Sequence, residues 1–184
     1  QNVSFLDVGC GWGRLLKAAT EYGWSSKGLE TSSKALEFIG KNFPNLDVEQ
    51  SYLDTMGKEP SSFDLISMVE VIEHIDQPKL LLEQVHDHLC DEGLLLVQTG
   101  NIESFTAQKA GMEWPYIKAE HVSYFSMSSL AHVLQDSGFE VLEMKKGFFP
   151  SFIFRLKFVT QHGFKGPFFG KATKGLLKLF FQSF

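Results

Sequence analysis

The sequence predicts an α/β protein, a mostly parallel sheet with helices on both of its faces. Three observations carry this. Short continuous apolar runs, such as Val3 to Val8 and Phe63 to Val69, suit strands buried on both faces. Stretches of helical pattern alternate with those runs along the body of the chain, the pattern of strand, crossover helix and parallel strand. The 184 residues, 43% hydrophobic and 21% charged, suffice for one domain with a full core and fall short of two of ordinary size.

Val3, Phe5, Leu6 and Val8 make the first strand, which runs into Gly9-Cys10-Gly11-Trp12-Gly13 before Arg14 to Ala19 start a helical pattern. A loop lacking Cβ atoms at every second position takes positive φ and lets a ligand lie against main-chain N–H groups at the helix N-terminus. Gly23 to Glu30 reads as the second strand. Ser33 to Ile39 reads as a helix, ended near Phe43-Pro44 because proline disfavours helical geometry in its predecessor. Leu46 to Leu53 follows as the third strand, Ser62 to Glu70 as the fourth, Pro78 to Leu89 as a helix and Gly93 to Thr99 as the fifth strand. A helix between Leu130 and Gly138 and a strand from Phe139 to Lys146 close the body, with right-handed crossovers expected throughout. In such a sheet a ligand lies beyond the carboxyl ends of the strands, so site residues are expected there.

Glycine spacing narrows the ligand. A dinucleotide fingerprint, Gly-x-Gly-x-x-Gly, needs a third glycine where the chain has Arg14, and the Gly-Lys-Ser/Thr of a phosphate-binding loop is absent. What stands here, Asp7-x-Gly-x-Gly-x-Gly, resembles the first motif of class I S-adenosylmethionine-dependent methyltransferases. That resemblance implies a Rossmann-like, doubly wound sheet of seven strands, the last of them within 147–184. It implies S-adenosylmethionine as cofactor, with Asp7 facing the methionine ammonium and Gly9, Cys10, Gly11 and Gly13 admitting its carboxylate and sulfonium. Glu30, nineteen positions after Gly11, sits at the tip of the second strand, where its oxygens can accept both ribose hydroxyls. Thr31 stands beside it. The resemblance places the adenine contact at Tyr52 and Leu53; relatives often carry Asp where this chain has Tyr52, and Asp54 could substitute. Val69, at the end of the fourth strand, completes the expected cofactor set.

The densest polar cluster follows that strand. In Glu70-Val71-Ile72-Glu73-His74 the two acids and the imidazole fall at offsets 0, 3 and 4, which share one face if the segment takes a helical turn. Together with Phe63-Asp64-Leu65-Ile66, this stretch resembles the fourth motif of ubiquinone-biosynthesis-type methyltransferases and their small-molecule relatives. The resemblance runs from residue 3 to about residue 146. Four readings stay open. Glu70 lines the methyl-transfer pocket; His74, with an ordinary pKa of about 6.5, is a general base; the cluster holds a divalent ion with His121, as small-RNA 2′-O-methyltransferases do with a similar Glu-x-x-Glu-His; or Glu73 and His74 only hold a loop in place by hydrogen bonds. The expected site contains no metal.

Residues 113 to 130 gather aromatic and imidazole groups without a strong period, which suggests a loop over the pocket that runs into a helix capped by Ser126 or Ser128. The Glu-His-Val-Ser-Tyr-Phe-Ser run resembles the acceptor-side segment of the same methyltransferases. Trp114, Tyr116 and Tyr124 are the expected acceptor wall, and His121 is an expected catalytic base beside His74 and Glu70. The function expected is methyl transfer to a small molecule such as a sugar, a phenol or a lipid-linked precursor. The rivals are a cofactor-binding scaffold subunit without catalysis, which the dense pocket residues argue against, and an RNA methyltransferase.

Charge bears on the second rival. Residues 1 to 144 hold 9 basic residues against all 22 acidic ones, a balance of −13, whereas residues 145 to 184 hold 8 basic residues and no acid. An acidic body disfavours a polyanion near the site. The 147–184 tail, with 11 of the 18 phenylalanines, suggests a last strand and then a basic aromatic stretch whose residues 171–184 could meet an anionic membrane surface peripherally. No run reaches the roughly 18 apolar residues of a membrane span. Cys10 and Cys90 show no metal spacing, so a reduced, cytoplasmic setting is expected. The chain opens with Gln1 almost directly on its first strand, and it reads as an excerpt of a longer one, its cofactor domain occupying residues 1–146.

Overall fold

A computed structural model of the chain describes residues 3–56 and 63–145 and the backbone of 157–159. The first half alternates as read: β1 (Ser4–Val8), α1 (Arg14–Glu21), β2 (Ser25–Leu29), α2 (Ser33–Asn42), β3 (Asp47–Glu49) and β4 (Phe63–Val69). Then come α3 (Pro78–His88), β5 (Leu89–Gln98), α4 (Phe105–Ala110), α5 (Met127–Asp136), β6 (Glu140–Glu143) and β7 (Lys157–Val159), with short 3-10 turns at Ile72–His74 and Gly111–Glu113.

Five strands form one parallel sheet in the order β3-β2-β1-β4-β5. The direction of winding therefore reverses between β1 and β4, which makes the crevice beyond their carboxyl ends the natural ligand position. β6 and β7 pair antiparallel in a ladder of their own. Among the described residues the parallel sheet thus has five strands, where seven in one sheet were expected. Residues 171–184, expected at a membrane surface, lie outside the described residues. No helix among those described is long and apolar enough to cross a membrane.

Strand periodicity decides which helices cover which face. Phe5 and Leu65, in register on neighbouring strands, point with Leu96 toward Leu16 and Ala19 of α1 and Ile39 of α2. Their chain neighbours Leu6, Ile66 and Leu95 point the other way, onto Leu82 and Val85 of α3 and Leu130 and Leu134 of α5. A side chain such as Leu6, with no exposed surface, contributes roughly 1.5–3 kcal/mol by leaving water. Burial on both faces explains why the strands read as unbroken apolar runs instead of alternating ones.

Departures from expectation have local causes. β3 stops at Glu49, short of Leu53, because residues 51–55 close a side-chain turn: Ser51 and Thr55 share a hydroxyl bond of 2.8 Å, and the Tyr52 N–H donates to Thr55 Oγ1 at 3.2 Å. β5 starts at Leu89, straight out of α3, and kinks where Glu92 takes a φ of 63°. Helix α5 begins at Met127 because Ser126 caps it reciprocally with Ser129. Helix α4, which has no long apolar period, rests on Ser104, whose hydroxyl accepts the Ala107 N–H at 3.1 Å.

Candidate functional site

The glycine loop is built as a cradle. Gly9, Gly11 and Gly13 have φ values of 68°, 53° and 73°, and Gly13 leads directly into α1. A Cβ on Gly9 would stand 2.6 Å from Val71, so the loop and the segment after β4 can approach only over glycine. A Cβ on Gly11 would meet no such neighbour within 4 Å and would enter open space. That space is a cleft of about 790 Å3 lined by Gly9, Gly11 and Glu30 on one side, within the roughly 300–1,000 Å3 usual for small-molecule sites.

Glu30 ties the loop to the neighbouring βα junction. One carboxylate oxygen accepts the Gly11 N–H at 2.7 Å, and the other accepts the N–H groups of Thr31 and Ser32, each at 2.8 Å. The oxygen that holds Gly11 keeps a second lone pair for a ribose hydroxyl, whereas the other already accepts two N–H groups, so the expected acceptance of both ribose hydroxyls is reduced to one. Thr31 lines the cleft beside it, as do Tyr52, 67% exposed, the buried Leu53 and Asp54 from the chain after the adjacent β3. Val69 ends β4 on the third side, and Leu80 and Leu81 of α3 complete an apolar wall.

Two expected cofactor residues sit beneath the cradle. Asp7 is buried under the loop, where Ser67 Oγ donates to its carboxyl at 2.6 Å. Burial pushes its pKa up to about 7, the Ser67 hydroxyl pulls it back, and the Glu30 charge adds to the rise. Cys10 turns its thiol into the core against Gly28, leaving only main chain at the loop; burial, then the charges of Asp7 and Glu30, pushes the thiol up to about 12.

Beyond β4 the chain takes a sharp corner. Glu70 adopts a left-handed φ of 56°, a conformation that costs a non-glycine residue about 1–3 kcal/mol and clusters at functional sites. It faces the cleft, donates its N–H to the Gln98 carbonyl at 2.9 Å and accepts the Gln98 amide at 3.2 Å. Burial, then the Glu73 charge, pushes its carboxyl up to about 7, against the pull of hydrogen bonds from Gln98 and Tyr116. The shared face expected of one helical turn does not form, because the 3-10 turn spans only Ile72–His74 and leaves Glu70 outside it. That turn divides the cluster: Glu73 is fully buried, whereas His74 is exposed and lines the cleft.

Both Glu73 oxygens are engaged. Thr99 Oγ1 donates to one at 2.8 Å, and the Tyr116 hydroxyl donates to the other. The Tyr116 oxygen in turn accepts the Gly100 N–H at 2.8 Å, and burial followed by the Glu70 charge raises this phenol's pKa. His74 Nδ1 lies 2.9 Å from the Glu120 carbonyl. A carbonyl only accepts, so Nδ1 carries a proton and Nε2 is the ring nitrogen left to face the cleft as an acceptor.

His121 is buried, its ring centre 4.7 Å from that of His74 and 4.4 Å from that of Tyr116; among the described residues its Nδ1 has no partner. Trp114, buried, stacks at 5.0 Å on Tyr116, and Tyr124 lies 6.4 Å from His121. Tyr116 and Tyr124 thus flank His121 with Trp114 against Tyr116, and none of the three expected acceptor-wall residues lines the cleft. Glu73, His74 and His121 offer ligand atoms within 4.8 Å of one another, and a cation there would share the Glu73 oxygens with the Thr99 and Tyr116 hydroxyls. Sequence reasoning passed over Ser67, Gln98, Thr99 and Gly100 as partners here. They are ordinary strand-end residues with no pattern to single them out.

The family described as a methyltransferase domain matches residues 1–144. The ubiquinone biosynthesis O-methyltransferase of Cupriavidus pinatubonensis is 22% identical over 152 residues, covering 76% of this chain and 61% of that protein. The mitochondrial one of Schizosaccharomyces pombe is 30% identical over 101 residues, 51% of this chain and 36% of that protein. The chain therefore spans less than two thirds of these curated relatives. A solved S-adenosylmethionine-dependent methyltransferase from Mesorhizobium loti is similar with a TM-score of 0.66 at 20% identity, over 78% of this chain and 77% of that one. A cyclase is similar at 0.61 and 18%, over 79% and 53%. Likeness at this level carries the fold, and one fold hosts more than one reaction.

Proposed function

From a chain that belongs to the methyltransferase-domain family, we propose S-adenosylmethionine-dependent methyl transfer to a small-molecule acceptor. The observation that carries the reading is the cradle: a glycine loop whose Gly11 N–H is held by the same Glu30 carboxylate that faces the cleft. The family's cofactor fits it. Gly11 leaves room where any side chain would intrude, and the Glu30 oxygen that holds Gly11 retains a lone pair for a ribose hydroxyl. Relatives named ubiquinone biosynthesis O-methyltransferases support an oxygen acceptor, on a phenol, a sugar or a lipid-linked precursor.

S-adenosylmethionine, when bound, supplies a methyl group already made electrophilic by its sulfonium, so the protein's work is alignment and exclusion of water. Glu30 and the loop orient the nucleoside end. Leu53, Leu80 and Leu81 keep the floor and wall apolar. His74 Nε2 takes the proton from an acceptor hydroxyl while Nδ1–H stays on the Glu120 carbonyl, which holds both tautomer and ring. Glu70 faces the same space and His121 backs it, so the two are the other groups that can hold a proton there.

Isothermal titration with S-adenosylmethionine and with NAD tests the cofactor. Heat is expected from S-adenosylmethionine alone; heat from NAD alone overturns the reading. Cofactor turnover with a panel of phenols and sugars then separates an enzyme from a scaffold subunit.

A further inference from the structure

We infer that Glu73 is a positioning residue, whose buried carboxylate latches the acceptor-side segment 114–125 onto the cofactor half through hydroxyl donors, an inference that rests on the cleft reading above. A carboxylate with no exposed surface persists only if donors satisfy it. Here Thr99 and Tyr116 each take one oxygen. The fit at Tyr116 is close, since a Cβ on Gly100 would lie 2.3 Å from its ring. The main-chain carbonyl of Glu73 also accepts the N–H groups of Val122 and Ser123 at 2.9 and 3.0 Å, and Ser123 Oγ reaches the Ile75 carbonyl at 3.2 Å.

Both ends of the segment are thereby fastened to a single turn. His121 lies between the two fastenings, so its place beside His74 follows from the latch. Each Glu73 oxygen already accepts a hydroxyl whose hydrogen points at it, so a cation bound there would have to share that oxygen with the hydrogen.

Two near-isosteric variants separate latch from ligand. Glu73→Gln keeps an oxygen for the Tyr116 phenol and an amide that can donate to the Thr99 oxygen, yet it is a poor ligand for a hard cation. Tyr116→Phe keeps the ring and the carboxylate and removes only the hydroxyl. Hydrogen exchange in the full chain, read over 117–125 with β1 as the reference for global opening, should quicken about tenfold to a hundredfold in Tyr116→Phe, as one buried bond left unmade implies. In Glu73→Gln it should change by less than about threefold. S-adenosylmethionine affinity should hold in both, because neither residue lines the cleft, while the KM of a phenolic acceptor rises in Tyr116→Phe. Unchanged exchange in Tyr116→Phe overturns the inference. So does Mg2+ binding that Glu73→Gln abolishes and Tyr116→Phe retains. Failure of the unmodified chain to bind S-adenosylmethionine would instead sink the proposed function and leave the exchange result standing.

Discussion

Replacing Glu30 by Gln tests the cradle at its most connected atom pair. The carboxylate accepts three main-chain N–H groups, two on one oxygen and the Gly11 N–H on the other. Glutamine offers one acceptor oxygen and one donor amide. If its oxygen stays with Thr31 and Ser32, the amide opposes the Gly11 N–H, donor against donor, and the loop is released. The reverse orientation frees the start of α2. Either way one charge-assisted bond of about 1.5–3 kcal/mol is lost, and one oxygen no longer accepts from a ribose. S-adenosylmethionine affinity measured by titration calorimetry should therefore fall by about tenfold to 150-fold, with Glu30→Ala at least as weak. Sinefungin and S-adenosylhomocysteine, which share the ribose, should lose in parallel, whereas adenine should not. Affinity for S-adenosylmethionine within twofold of the parent chain would refute the assignment of Glu30 to both ribose and loop.

Two further outcomes follow from the site's titration and its base. Asp7, pushed up to about 7, keeps a proton in the folded state at pH values where the unfolded chain has lost it, so folding stability should fall as pH rises from roughly 4 to 7, by up to about 1.4 kcal/mol per pH unit. Asp7→Asn, which can still accept from Ser67, should remove that share of the slope in urea unfolding at pH 5, 6, 7 and 8; superimposable slopes for the two proteins would contradict the burial argument. His74→Ala should lower kcat on a phenolic acceptor by about 10²–10⁴ with little change in cofactor affinity. The same loss in His121→Ala with none in His74→Ala would move the base to His121.

Much of this architecture is legible in one dimension because its causes are local. Strands buried on both faces must be continuously apolar, and β1 and β4 read so. A positive-φ loop needs residues without a Cβ, and glycine at positions 9, 11 and 13 declares it. Ser126 announces the start of α5 through its own hydroxyl. Even Glu30, nineteen residues from Gly11, is predictable, since one βα unit separates an acid at the second strand tip from the loop it braces.

The acceptor half was legible only as a list of candidates. Glu73 meets Thr99 across 26 residues and Tyr116 across 43, and no periodicity links positions that far apart. Asp7 and Cys10 show the same limit at short range: their place in the motif is plain, but whether a side chain points at a ligand or into the core depends on what packs above it.

What the residues determined unaided, then, is the strand and helix succession and the location of the glycine loop beside the cleft, since backbone sterics and hydrophobic periodicity act over a few neighbouring positions. Which of Glu70, Glu73, His74 and His121 is buried, paired or open to the cleft was decided by the tertiary structure, because a polar group's partners and its desolvation are properties of the assembled interior.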